Sequence, residues 1–88
     1  MIVSSNPSAN TLEFEELLNR STANLERVAS AEPQFYLGRT WEDFETDVVE
    51  AMKREAWGGI FEGSIELLAG RDFPDIVAKK LYGVEVKS

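Results

Sequence analysis

The chain has no cysteine and no histidine among its 88 residues, and the two absences exclude a good deal of chemistry. Without cysteine there is no disulfide staple and no thiolate zinc site. Without histidine there is no Ser-His-Asp or Cys-His pair, no imidazole metal ligand and no imidazole pH switch. Positive charge is also scarce: nine Lys and Arg stand against 16 Asp and Glu, for a net charge of −7. An acidic surface repels phosphate at long range, and non-specific DNA affinity needs neutralising cations. The balance therefore argues against a self-sufficient nucleic-acid binder, although a metal-dependent site must itself be acidic and basic clamps can lie elsewhere. No Gly-x-Gly-x-x-Gly phosphate loop occurs, and Gly58-Gly59 and Gly63 do not form one. Apolar runs are only a few residues long, so no segment is expected to span a membrane. The first residues lack the basic start of a signal peptide, which makes the cytoplasm the default expectation.

What is present describes one domain, or a piece of one: 43% hydrophobic and 28% charged residues. A chain this short buries only about 60% of the surface its unfolded form exposes. Residues 1 to about 10 are polar and read as loose. From about Thr11 to Ser30, Phe14, Leu18, Leu25 and Val28 fall on one helical stripe with Leu17 beside it. Asn10 with Glu13 makes a capping-box pair, Glu15 and Glu16 suit the positive end of the helix dipole, and Pro33 stops the helix. Residues 1–33 thus form an N-terminal helical segment with no visible chemistry. Gln34 to Arg39 is a linker. Thr40 then caps a second helix, with Glu42 and Asp43 in its first turn and Phe44, Val48, Ala51 and Met52 at helical spacing. Lys53 and Arg54 lie in its last turns, and Gly58 and Gly59 end it. Trp41 and Trp57 suit a core or an interface better than a base-stacking platform.

Beyond Ile60 the period changes. Phe61, Ile65, Leu67 and Ala69 alternate with Glu62, Ser64 and Glu66, which predicts a strand with one buried face. A helix with Ile60, Phe61, Ile65 and Leu68 on one side is the competing drawing of residues 60–69. Gly70, Arg71 and Asp72 signal a turn, Phe73 to Val77 reads as a second strand, and Tyr82 to Lys87 as a third. The connections are short enough for an antiparallel meander. The fold class expected is α+β: two N-terminal helices followed by that meander.

One patch has the residues for chemistry. In a hairpin centred near Lys80, Asp75 lies across from Glu85, and opposed pairs have Cβ atoms about 4.5–5.5 Å apart. Glu85 and Lys87, two apart on a strand, point the same way, while Val84 and Val86 point to the core. Two facing carboxylates repel unless a cation or a shared proton lies between them. Mg²⁺ prefers oxygen ligands and typically takes one or two carboxylates plus water and substrate phosphate. A cation there polarises a phosphoryl oxygen and activates water, and Lys87 is placed to offset charge developing in the transition state. The plain alternative is a solvated surface hairpin: Glu-x-Lys is common on strands, and Lys79-Lys80 is most simply a soluble tip, though it also suits a phosphate backbone.

Pro74-Asp75, nine intervening residues and Glu85-Val86-Lys87 resemble the PD-(D/E)XK motif of Mg²⁺-dependent nucleases. The text around it, Arg71-Asp72-Phe73-Pro74-Asp75-Ile76-Val77 and Tyr82-Gly83-Val84-Glu85-Val86-Lys87-Ser88, is similar to type II restriction endonucleases. The likeness covers residues 40–88. It implies that Asp75 and Glu85 hold Mg²⁺, with the carbonyl of Val86 a further ligand, that Lys87 is the catalytic lysine, and that Glu45, after Phe44, is the acidic residue of the preceding helix. Glu50 is the weaker candidate for that role; Glu62 or Glu66 takes it if residues 60–69 are helical. The family core is an αβββαβ arrangement, so residues 40–88 are expected to be its incomplete first half, with the third strand a bare edge unless another strand pairs with it. The simplest expectation is an N-terminal fragment, inactive alone, whose missing part supplies the basic groove. The whole enzyme would hydrolyse phosphodiester bonds of double-stranded DNA, leaving a 5′-phosphate. It would do so as a homodimer, for which the near-heptad stripe of the first helix offers a contact. Two rivals remain open: a structure-specific or nicking nuclease of resolution or repair, and a non-catalytic acidic α+β domain that binds a protein partner.

Overall fold

In a computed structural model, the structure describes residues 2–5, 12–31, 38, 40–69, 74–79 and 81–87, with backbone alone at 2–5, 41 and 87. The elements are β1 (Ile2–Ser5), α1 (Leu12–Ala31), α2 (Trp41–Glu55), β2 (Ile65–Leu67), β3 (Ile76–Ala78) and β4 (Tyr82–Lys87). The expected α+β class is what is found: two helices followed by an antiparallel meander. Asn10, Pro33, the 34–37 stretch, Arg39, Gly70 to Phe73, Lys80 and the side chain of Trp41, all used in the sequence reading, lie outside the described residues.

Each helix forms for a local reason. Thr40, in an extended conformation, accepts from the Asp43 amide at 3.1 Å, and the Asp43 carboxylate accepts from the Thr40 amide at 2.9 Å. This reciprocal capping box satisfies two amides that the first turn otherwise leaves without partners. Glu42 and Asp43 sit at the positive end of the helix and Lys53 and Arg54 at the negative end. Gly58 follows the helix with a φ of 77°, a left-handed conformation that costs glycine nothing. On α1 the stripe buries Phe14, Leu17, Leu18 and Leu25, whereas Val28 stays 37% exposed. Ser21 is the buried polar side chain of this face, and its hydroxyl donates to the Leu17 carbonyl at 2.7 Å. The α1 stripe is therefore used within the chain's own core.

The sheet order is β1-β4-β3-β2, antiparallel throughout. β3 and β4 pair as Ile76↔Val84, Val77↔Gly83 and Ala78↔Tyr82, so the hairpin is centred on residue 80 as its sequence implies. Residues opposed in register share a face. Ile65, Ile76, Ala78, Val84 and Val86 thus form one apolar face, which packs against Phe14, Leu17, Val48, Ala51 and Met52 of the helices. Val84 and Val86 face the core as expected.

Three departures from the sequence reading have identifiable causes. Residues 2–5 are a strand rather than loose, and they cover the edge of β4 that would otherwise be bare: Val3 pairs with Val86 and Ser4 with Glu85. Residues 60–69 are neither a full strand nor a helix. The chain turns through 60–63, with Gly63 at a φ of 75°, and is strand only over Ile65–Leu67. Phe61 is buried not as a strand residue but by stacking edge-on with Phe14 at 5.6 Å and Tyr82 at 5.5 Å. Leu67 and Ala69, expected inside, are exposed, because the strand ends before it crosses the core. Finally, β3 begins at Ile76, and Pro74 and Asp75 form a bend before it. Proline supplies no amide to a ladder and restrains the backbone at such a point.

Candidate functional site

The site is built where the β3–β4 ladder ends. Its last pair is Ile76↔Val84. One step further the same register sets Asp75 opposite Glu85, and both side chains are half-buried. The Asp75 backbone carbonyl accepts from the Leu68 amide at 2.8 Å, on the β2 side. Its carboxylate turns the other way and accepts from the Val86 amide, Oδ2 to N, at 2.8 Å. The carboxylate so takes the place of the next rung and satisfies a donor that the bend at Pro74 would leave unpaired. A hydrogen bond from an amide to an ionised acid is one of the stronger kinds, and it fixes Asp75 beside β4.

This contact also orients Val86. In an antiparallel strand, a residue's N–H and C=O point to the same side. The Val86 carbonyl therefore faces the β3 side, where Asp75 lies, while its side chain is buried in the core. Nothing in the residue pattern alone signals the Asp75–Val86 bond. It follows from the bend, which only the folded hairpin defines.

Glu45 is the residue the helix contributes. It is half-buried on α2, and its carboxyl is held above the ordinary value of 4.5 by burial first, then by the charge of Asp75, then by that of Glu42. An acid thirty residues earlier in the chain is thus within electrostatic reach of Asp75. Of the other candidates, Glu50 is exposed, Glu62 Oε2 accepts from the Gly58 amide at 3.3 Å, and Glu66 is exposed on β2. Lys87 lies on β4 opposite Ile2, two residues from Glu85 on the same strand, and its side chain is outside the described part.

The structure therefore brings Asp75 together with the Val86 amide, sets Glu45 within electrostatic reach of it, and places Glu85 on the adjacent strand. Among the described residues no group of three or more acidic side chains closes into a ligand set. Mg²⁺ does not demand such a cage, since it characteristically takes one or two carboxylates and keeps several waters. Asp75 with its second oxygen, in the bend before β3, and Glu85 and the Val86 carbonyl on β4 are hard oxygen donors, of the type that ion selects.

What the sequence reading missed was β1. Ile2-Val3, two β-branched residues ahead of the turn signal Asn6-Pro7, was the available sign. Among the described residues no helix is long and apolar enough to cross a membrane. Compared with known proteins, the chain matches no protein-family model, no curated protein and no solved structure.

Proposed function

We propose that this chain carries the catalytic hairpin of a Mg²⁺-dependent DNA endonuclease of the PD-(D/E)XK kind, acting on double-stranded DNA as a type II restriction enzyme does. The observation that carries the proposal is the Asp75–Val86 hydrogen bond, in a hairpin whose register sets Asp75 against Glu85. It gives the sequence motif a defined geometry. The response of Glu45 to Asp75 supports a role for the helix acid, because two neighbouring carboxylates gain most when a cation lies between them.

In this reading Asp75, Glu85 and the Val86 carbonyl hold the metal. When bound, it supplies polarisation of a phosphoryl oxygen and a water acidified toward neutral pH. The chain's own residues do the rest. The Val86 amide keeps the Asp75 carboxylate from rotating away. Glu45 accepts a proton or a hydrogen bond from water at the same patch, and the Lys87 ammonium offsets negative charge growing on the phosphate oxygens. The acidic surface is then a matter of local need at the site, and DNA is held by basic groups beyond these hairpin residues.

The test is plasmid cleavage with Mg²⁺ by the full-length enzyme that carries this hairpin, beside its Asp75→Ala and Lys87→Ala variants. Discrete metal-dependent fragments, lost in both variants, are expected. Preference for nicked or branched DNA would move the assignment to a resolution or repair nuclease. No cleavage of any DNA form by the well-folded full-length enzyme would remove the nuclease reading. One feature favours the other rival, a protein-interaction domain: Trp57, Ile60 and Leu81 are 80%, 62% and 61% exposed. Trp57 and Ile60 flank the turn that carries Phe61, and Leu81 lies in the hairpin whose Lys79 Nζ sits 5.3 Å from the Phe61 ring centre.

A further inference from the structure

The two edges of the sheet are not equally protected. β2 is three residues long, carries Glu66 in its centre and packs against α2. Short length, charge and a covering helix are the usual means of keeping an edge from pairing with another chain. β1 is also short, at four residues, and α1 touches it, but its sequence Ile2-Val3-Ser4-Ser5 contains no charge and no proline. The first ionisable side chain of the whole sequence is Glu13. In a chain of net charge −7, this uncharged stretch is where two copies can approach with the least repulsion.

The direction of the β1 backbone groups follows from contacts already described. The Val86 amide points toward β3, since Asp75 accepts it. Amides alternate sides along a strand, so those of Glu85 and Lys87 point toward β1. Their register partners Ser4 and Ile2 exchange hydrogen bonds with them. Val3 and Ser5 are then left with N–H and C=O groups directed out of the sheet.

We propose that β1 pairs antiparallel with β1 of a second copy of this chain, about a two-fold axis at Ser4. Val3 of each copy exchanges hydrogen bonds with Ser5 of the other, and two four-stranded sheets join into one. Such an interface is isologous and closes at two copies. It names the contact for the homodimer of the reading above, in place of the α1 stripe, which the core already uses. Its test is independent of nuclease activity. With two β1 strands between them, the two copies of β4 lie about 14 Å apart, so both Asp75–Glu85 patches belong to one sheet.

Sedimentation equilibrium of the full chain over a range of concentrations, without DNA or metal, is the experiment. Wild type is expected to dimerise. Val3→Pro and Ser5→Pro remove only outward amides, which an edge strand tolerates. Each should weaken the dimer by roughly tenfold or more while the monomer keeps its melting temperature. Amide exchange provides a second readout: Val3 and Ser5 are expected to gain protection as the dimer forms. A wild type that stays monomeric overturns the proposal, and so does a dimer indifferent to both proline variants. A dimer lost in Trp57→Ser but kept in Val3→Pro would place the contact at the other end of the molecule. One lost in Ser4→Pro alone would mean that β1 is exchanged onto the partner's β4. Either result also overturns it. Metal-dependent cleavage by a strictly monomeric protein would leave the nuclease reading standing without this interface.

Discussion

The two ends of β4 are built on opposite principles. At Tyr82, three rings meet: Phe14 stacks on Tyr82 at 5.1 Å, and Phe61 meets both edge-on. The Lys79 ammonium lies over the Phe61 ring, and the Lys79 amide donates to the Ser64 carbonyl at 3.1 Å. These contacts hold Lys79 at a φ of 53°, a conformation few side chains adopt. Roughly 10–14 Å along the strand, at Glu85 and Val86, Asp75 accepts from the Val86 amide and its charge reaches Glu45 on the helix. At the first end, apolar rings pack on one another beneath the Lys79 ammonium. At the second, the charges of Asp75 and Glu42 add to burial in raising the Glu45 carboxyl. That contrast is a reason to propose the Asp75 end as the functional one.

The comparison is broken most severely at the aromatic end. Phe14 is fully buried, and Phe14→Ala should cost about 3–5 kcal/mol in chemical denaturation, by cavity formation and lost ring contacts. For a chain of this size that approaches the whole stability. A loss under about 1 kcal/mol would show that the three rings are not the anchor described.

Asp75→Ala is the intermediate case. It removes a charge repulsion with Glu45 but leaves the Val86 amide without its acceptor, a penalty of about 1–3 kcal/mol for a buried donor. Net destabilisation is expected, together with faster exchange of the Val86 amide. Asp75→Asn, which keeps an acceptor oxygen, should recover most of the stability while still losing cleavage. If Asn and Ala were equally unstable, the hydrogen bond would not be what fixes Asp75.

The smallest effect sharpens the comparison from the other side. The folded-state carboxyl of Glu45 titrates above 4.5, so in that window the native state binds more protons than the unfolded one, and stability falls as pH rises through it. The penalty is fully present above the folded value and absent well below 4.5. Glu45→Gln should therefore stabilise the protein near neutral pH by roughly a few tenths of a kcal/mol, and should make no difference at pH 3. Added Mg²⁺, if the site binds it, should shrink the advantage of the variant. A Glu45→Gln protein less stable at pH 7 than wild type would contradict the electrostatic account.

Much of this molecule was legible in the order of its residues, for reasons that are local. The second helix announces itself because Thr40, Asp43 and the terminal charges act within one turn of where they sit. The β3–β4 register follows from a short connection, which leaves few ways to pair two strands, and from Val84 and Val86, which a slip by one residue would expose. Asp75 opposite Glu85 is a consequence of both. What tertiary structure alone decided is non-local. Val3 pairs with Val86 across nearly the whole sequence, and a four-residue strand has no period long enough to predict a partner so distant. Phe61 leaves the strand alternation because Phe14 and Tyr82 offer its ring a better place than the sheet does. The nearness of Glu45 to Asp75 depends on how α2 lies on the sheet, which packing of Val48, Ala51 and Met52 sets and no spacing along the chain encodes.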